Sequence, residues 1–295
     1  MSRAAPEPEL AAAVPYQSNK ERNAMRSFLK GLVSAAAVAA VAAGIIGCGS
    51  SAGSGTTSAS PTPPSPAASA SPSGVASAAP GMLAVAPGWT PMAASDFATA
   101  IDNPWFPLVK GRTWVSTGVK DGKPTIDTYT VTGQTKQIMG VTCSVIRDRL
   151  TQHGKVMEAT WDWYAQDKRG NVWYLGEDTR EFDAAGQVTS TAGTWQAGVD
   201  GAGAGIFMPA NPQLGMGGYQ EYLAGQALDK YKVVSTNASV TVPYGSFKNA
   251  LQTRETTALD PGVVDAKYYV KGIGQVAEES LKGPKETSYL ARLTK

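Results

Sequence analysis

The side chains able to do covalent, acid–base or metal chemistry are few in these 295 residues, which hold one histidine and two cysteines. His153 lies in Thr151-Gln152-His153-Gly154-Lys155, an expected hairpin turn, where a catalytic base would lack the adjacent nucleophile and orienting carboxylate it needs. Cys143 alternates with valines in Val141-Thr142-Cys143-Ser144-Val145, the setting of a buried, inert thiol. Acidic groups gather around a tryptophan-rich stretch as Asp162, Asp167, Glu177 and Asp178. A carboxylate pair beside Trp161, Trp163 and Trp173 would suit a glycosidase, with the rings stacking on sugar. The plainer reading makes Asp and Asn hairpin-turn formers and the tryptophans core residues. Asp167-Lys168-Arg169-Gly170-Asn171 hints at calcium, yet its spacing matches no EF-hand loop. Gly201-Ala202-Gly203-Ala204-Gly205 is glycine-rich like a phosphate loop but lacks the Gly-Lys-Ser/Thr ending. No metal, cofactor or catalytic residue is therefore expected, and the chain reads as non-enzymatic.

Composition narrows the partners. The 26 basic and 24 acidic side chains leave a net charge of +2, too little for a nucleic-acid binder. The charges also partition along the chain. Residues 1–47 carry five basic and three acidic groups, 48–95 carry none, and 96–295 carry 21 of each. The small surplus thus belongs to the N-terminal segment alone.

That segment has the layout of a secretory signal. Arg26 and Lys30 precede an apolar, alanine-rich run from Leu32 to Ile46, shorter than a membrane-spanning helix requires. Met25-Arg26-Ser27-Phe28-Leu29-Lys30 makes a better signal start than Met1, so translation is expected to begin at Met25. The run ends in Ile45-Ile46-Gly47-Cys48-Gly49, which resembles the bacterial lipobox. The resemblance implies that the Cys48 thiol carries diacylglycerol through a thioether, that the chain is cut before it, and that the protein is held on the outer side of the cytoplasmic membrane. Several acyl chains give stable anchoring where one would not. Beyond Cys48 a stretch rich in Ser, Ala, Pro and Thr extends to residue 95, with too little apolar surface to order itself. As a coil it would hold the following domain about 40 Å from the membrane.

From residue 96 the pattern is β throughout. A short helix is expected from Ser95 to Ile101, then strands over Arg112–Val119, Thr125–Thr132, Lys136–Leu150, Lys155–Ala165 and Asn171–Gly176. The C-terminal third continues with Tyr219–Leu223, Tyr231–Ser235, Ser239–Val242, Phe247–Glu255, Val263–Val270, Gln275–Ser280 and Glu286–Leu293. Short turns between them require antiparallel neighbours, so the fold class is an all-β, strongly curved antiparallel meander or half-barrel. Alternation sets Val264, Ala266, Tyr268 and Val270 against Asp265, Lys267 and Tyr269. It likewise sets Met157, Ala159, Trp161 and Trp163 against Glu158, Thr160, Asp162 and Tyr164. A hairpin closing symmetrically over 166–170 would place Trp163 opposite Trp173 and Trp161 opposite Leu175. The glycine-rich 198–218 insert, with Ile206-Phe207-Met208-Pro209, reads as an irregular loop and a candidate lid.

Val240-Thr241-Val242-Pro243-Tyr244-Gly245-Ser246-Phe247 and the later Lys267-Tyr268-Tyr269-Val270-Lys271-Gly272-Ile273-Gly274-Gln275-Val276 carry a family resemblance. The pair is similar to a turn-and-strand pairing of bacterial envelope proteins akin to the lipoprotein-carrier (LolA/LolB-like) half-barrels. The resemblance implies a curved sheet with an apolar concave face and brings no catalytic residue. The expected function is accordingly an envelope lipoprotein binding an apolar ligand such as a lipid, with Trp161, Trp163, Trp173, Tyr268 and Phe207 meeting it. The alternative is a structural or interaction module contacting cell-wall glycan or another envelope protein through exposed rings. An envelope hydrolase is the weakest of the three.

Overall fold

The computed structural model describes residues 81–295. The expected signal segment, Cys48 and most of the expected linker lie outside the described residues. The described chain is all-β apart from one 3-10 turn at Ala94–Asp96, which replaces the short helix expected through Ile101. Asp102-Asn103-Pro104 follows too closely for a longer helix to form.

Five long antiparallel strands come first: β1 (Thr113–Lys120), β2 (Lys123–Ile138), β3 (Val141–Gln152), β4 (Lys155–Gln166) and β5 (Val172–Phe182). Three of their hairpins turn on two residues with positive φ: Asp121-Gly122, Met139-Gly140 and His153-Gly154. That geometry matches the right-handed twist of the flanking strands. The turn at Met139-Gly140 divides what the sequence suggests is one strand over 136–150.

Short pieces follow: β6 (Val188–Ser190), β7 (Trp195–Gln196), β8 (Gly203–Met208), β9 (Gly217–Tyr219) and β10 (Glu221–Tyr222). The sheet then resumes with β11 (Asp229–Val242), β12 (Gly245–Thr257), β13 (Val264–Val270), β14 (Gly274–Lys282) and β15 (Thr287–Thr294). The expected 198–218 loop therefore contains a wholly buried strand, β8, rather than a lid. Its apolar Ile206-Phe207-Met208 run is strand-like, and the surrounding glycines disguise it.

Hydrogen-bonded order runs β10-β8-β5-β4-β3-β2-β1-β15-β14-β13-β12-β11-β9, with β6 and β7 paired on β5. The two ends of this order are consecutive in the chain. Gly217–Tyr219 pairs with β11, while Glu221–Tyr222 pairs with β8, so one segment touches both edges. The result is a nearly closed antiparallel barrel with one seam, crossed at the buried Gln220. Gly205 permits the approach, because a Cβ there would lie 2.1 Å from the Tyr219 carbonyl oxygen.

Two chain segments outside the sheet complete the fold. Ala84 and Ala86 exchange backbone hydrogen bonds with Ala204 of β8, and Leu83 is fully buried. The folded unit thus begins before residue 96, and the last part of the expected linker belongs to it. The second segment, 101–108, hangs from the end of β4: the Gln166 side chain accepts from the Asp102 and Asn103 amides. Asn103 Nδ2 donates to the carbonyls of Gly170 and Pro209, and the Pro104 carbonyl accepts from the Gly272 amide. This segment links the β4–β5 turn to the β13–β14 turn and delivers Phe106 against Tyr164 and Phe207.

The seam gives a direct test. Gly205→Ala should destabilise the protein by about 2 kcal/mol or more, since backbone must move to admit the methyl group. Urea unfolding of the variant against wild type measures it, and an unchanged midpoint would show that the seam does not close as described.

Candidate functional site

The β4–β5 hairpin closes with Gln166 opposite Val172, so its five-residue loop sits one residue later than the symmetric turn over 166–170 expected from sequence. Asp167 causes this. Fully buried, it accepts hydrogen bonds from the Arg169 and Asn171 amides, Asn171 Nδ2 and Trp173 Nε1. Both oxygens are therefore committed to the turn, which removes the hint of calcium. A bulge between Trp163 and Tyr164 shifts the rest, so Trp163 lies opposite Gly176, Trp161 opposite Asp178 and Trp173 opposite Ala165. The expected Trp163–Trp173 and Trp161–Leu175 pairs do not form.

The aromatic face of this hairpin points out of the barrel. Trp173 packs edge-on against Trp89 and Phe97 of the N-terminal segment. Trp163 lies under the Lys136 ammonium, and Trp161 is half-buried with Arg147 and Arg180 over its ring. Tyr268 is also half-buried and takes a hydrogen bond from Gln252. Of the five aromatic positions expected to meet a ligand, Phe207 alone lines the interior cavity. Cys143 is buried, with burial pushing its thiol up to about 12, as expected of an inert thiol. His153 occupies the β3–β4 turn.

The opposite face of each strand points inward, and it mixes acidic with aromatic side chains. A cavity of about 140 Å³ is lined by Trp114 and Ser116 of β1, Asp127 and Tyr129 of β2, and Asp148 and Leu150 of β3. β4 contributes Glu158, Thr160, Asp162 and Tyr164, while β13 and β14 add Lys267, Val276 and Glu278. On β1 to β4 every second residue is used, as the pleat requires. Phe106 and Phe207 complete an aromatic wall with Trp114, Tyr129 and Tyr164. The Tyr174 hydroxyl donates to Asp162, which lies opposite Glu177, so two acids singled out in the sequence are brought together. Asp178 instead points outward and pairs with Arg180 at 3.1 Å.

Charge balance inside the barrel is uneven. Lys267 Nζ lies 2.8 Å from Glu255 and 3.8 Å from Glu278, and Lys120 lies 3.9 Å from Glu158. Burial disfavours the Lys267 ammonium, but Glu255 and Glu278 outweigh it and hold its pKa well above the ordinary lysine value. The carboxyls respond oppositely. Burial, only partly offset by Lys120, raises Glu158 to about 7; burial, partly offset by Lys267, raises Glu278 to about 8. Burial also raises Asp127 and Asp148, which face each other closely enough to share a proton. Oxygens of Asp127, Asp148 and Glu278 find no donor among the described residues.

Apart from Asp162, these interior acids are groups that sequence reasoning passed over. Their signal was present as Glu158-Thr160-Asp162-Tyr164 and Asp265-Lys267-Tyr269, two mixed faces that alternation groups without saying which side is inside.

No family model matches the chain, and no curated protein matches it. Among solved structures it is similar to a Bacteroides fragilis protein classed as exported and of YmcC-like fold, at 18% identity and TM-score 0.39. That likeness covers 65% of this chain and 99% of the other. A Parabacteroides distasonis protein classed as a lipoprotein is similar at 11% identity and TM-score 0.32, with the same coverage.

Two outcomes follow from the charges. Lys267→Met leaves the buried Glu255 without its cation and should cost about 3–5 kcal/mol in urea unfolding. For pH, Glu158 and Glu278 titrate near 4.3 when unfolded but at about 7 and about 8 when folded. The folded state holds more protons in between, so their contribution is complete at low pH and is lost as pH rises through those values. The melting temperature should fall from about pH 5 to about pH 9, and Glu158→Gln with Glu278→Gln should flatten the fall. A melting temperature that rises over this range would contradict the assignment.

Proposed function

We propose that this chain is a lipid-anchored, extracytoplasmic binding protein, non-enzymatic, that takes a small ligand into the interior of its barrel. Cys48 supplies the anchor, the Ser/Ala/Pro stretch supplies reach, and the neutral charge balance of 96–295 suits a domain working clear of the membrane.

The observation that carries the reading is the set of carboxyls inside the barrel. A barrel whose inside serves only stability is filled with interlocking apolar side chains. This one keeps a cavity and turns carboxyl oxygens of Asp127, Asp148 and Glu278 into it that, apart from the proton Asp127 and Asp148 can share, find no donor among the described residues. Leaving such oxygens desolvated and unpaired is costly, so an acyl chain, the ligand first expected, would fit poorly. A ligand that brings its own donors would satisfy them.

A second reading, contact with cell-wall glycan or an envelope protein, draws on Trp161, half-buried on the outer face between Arg147 and Arg180. The two readings separate by experiment. The full chain is purified from membranes in detergent, analysed by native mass spectrometry, and tested for retention on insoluble cell wall. A bound small molecule lost on Asp148→Asn supports the interior site. Cell-wall retention lost on Trp161→Ala, with nothing bound inside, overturns it. Cys48→Ser should move the protein from the membrane to the soluble fraction, and retention on the membrane would refute the anchor.

A further inference from the structure

The chemical class of the ligand can be narrowed from the cavity wall, an inference that rests on the interior-binding reading above. Five carboxyl side chains line the space, Asp127, Asp148, Glu158, Asp162 and Glu278, against the single ammonium of Lys267. That ammonium is already engaged by Glu255 at 2.8 Å. Glu278 is only 8% exposed; its Oε2 accepts from Gln275 Nε2 at 3.0 Å, while Oε1 has no partner among the described residues. Asp127 and Asp148 line the same space and have only each other as side-chain hydrogen-bond partner for their inward oxygens among the described residues. Carboxyls enclosed in this way must be neutralised by protons or by a cation.

The facing wall points the same way. Phe106, Trp114, Tyr129, Tyr164 and Phe207 offer aromatic faces, which attract cations and bury apolar bodies. The Trp114 N–H is occupied by the Ile273 carbonyl at 2.8 Å, so it is not offered to an anion. A metal ion is a poor match, since no group of three or more His, Cys, Asp or Glu among the described residues is arranged to hold one. The space, about 140 Å³, is close to the cavity of about 150 Å³ that takes up benzene in another protein.

We propose that the barrel interior is a binding site for a small organic cation, an ammonium group on an apolar or aromatic body. The ammonium group is placed among Asp127, Asp148 and Glu278, and the body lies against the aromatic wall. Entry of the cation takes over the neutralising role of the carboxyl protons, which leave to solvent. The groups that set this exchange around Glu278 are Lys267 and Asp265 of β13, Glu255 of β12 and Gln275 of its own strand.

The test is calorimetric titration of the full chain in detergent with benzylammonium, benzyl alcohol and benzoate, which share one body and differ in charge. Benzylammonium should bind at least about tenfold more tightly than benzyl alcohol, benzoate should not bind, and protons should be released near neutral pH. Asp148→Asn and Glu278→Gln should each weaken benzylammonium about tenfold or more without changing the affinity for the alcohol. Proton release by the wild type stands as the measurement if either variant fails to fold. Equal binding of the alcohol overturns the cation assignment and leaves interior binding intact, while selective cation binding without proton release overturns the exchange of carboxyl protons for the cation. No binding by any probe, with no small molecule retained from the cell, overturns both.

Discussion

The barrel depends on a single contact, the approach of the Gly217–Tyr222 segment to β8 on one side and β11 on the other. A long antiparallel sheet left open would expose two edges of unpaired N–H and C=O groups. Here one six-residue segment serves both edges, pairing first with β11 and then, after Gln220, with β8. Gly205 makes the approach sterically available. Closure also separates two environments, because alternation along each strand becomes inside against outside.

With the sheet nearly closed, the outer surface still buries large apolar side chains. The N-terminal segment from Leu83 to Phe97 lies over Trp173, and Lys136 covers Trp163. The tryptophans therefore gain burial outside the barrel wall, and the inward face is left free for Asp127, Asp148, Glu158, Asp162 and Glu278. Phe106 and Phe207 close off the aromatic end of that interior. Charge and hydrogen bonding among these residues are stronger than they would be in bulk water.

Much of the architecture was legible along the chain. β-branched and aromatic runs separated by turn residues marked most of the strands within a few positions, and the close spacing dictated antiparallel neighbours. The breaks came at particular residues. Met139-Gly140 turns with positive φ at a methionine, an uncommon turn former. β8 was hidden among glycines that exist because backbones pass close by. The register of the β4–β5 turn came from Asp167 reaching Trp173, a side-chain contact that propensity does not encode.

What the sequence determined by itself was local: the strands, the turns and the sets of residues sharing a face. What only the tertiary structure decided was which face of each strand became the inside. Alternation groups Glu158 with Asp162 and Lys267 with Tyr269, but it carries no sign. The sign depends on the direction in which the sheet curls and on what covers its outer surface. Both are settled by contacts far apart in the chain, Tyr219 against Gly205 and Trp89 against Trp173.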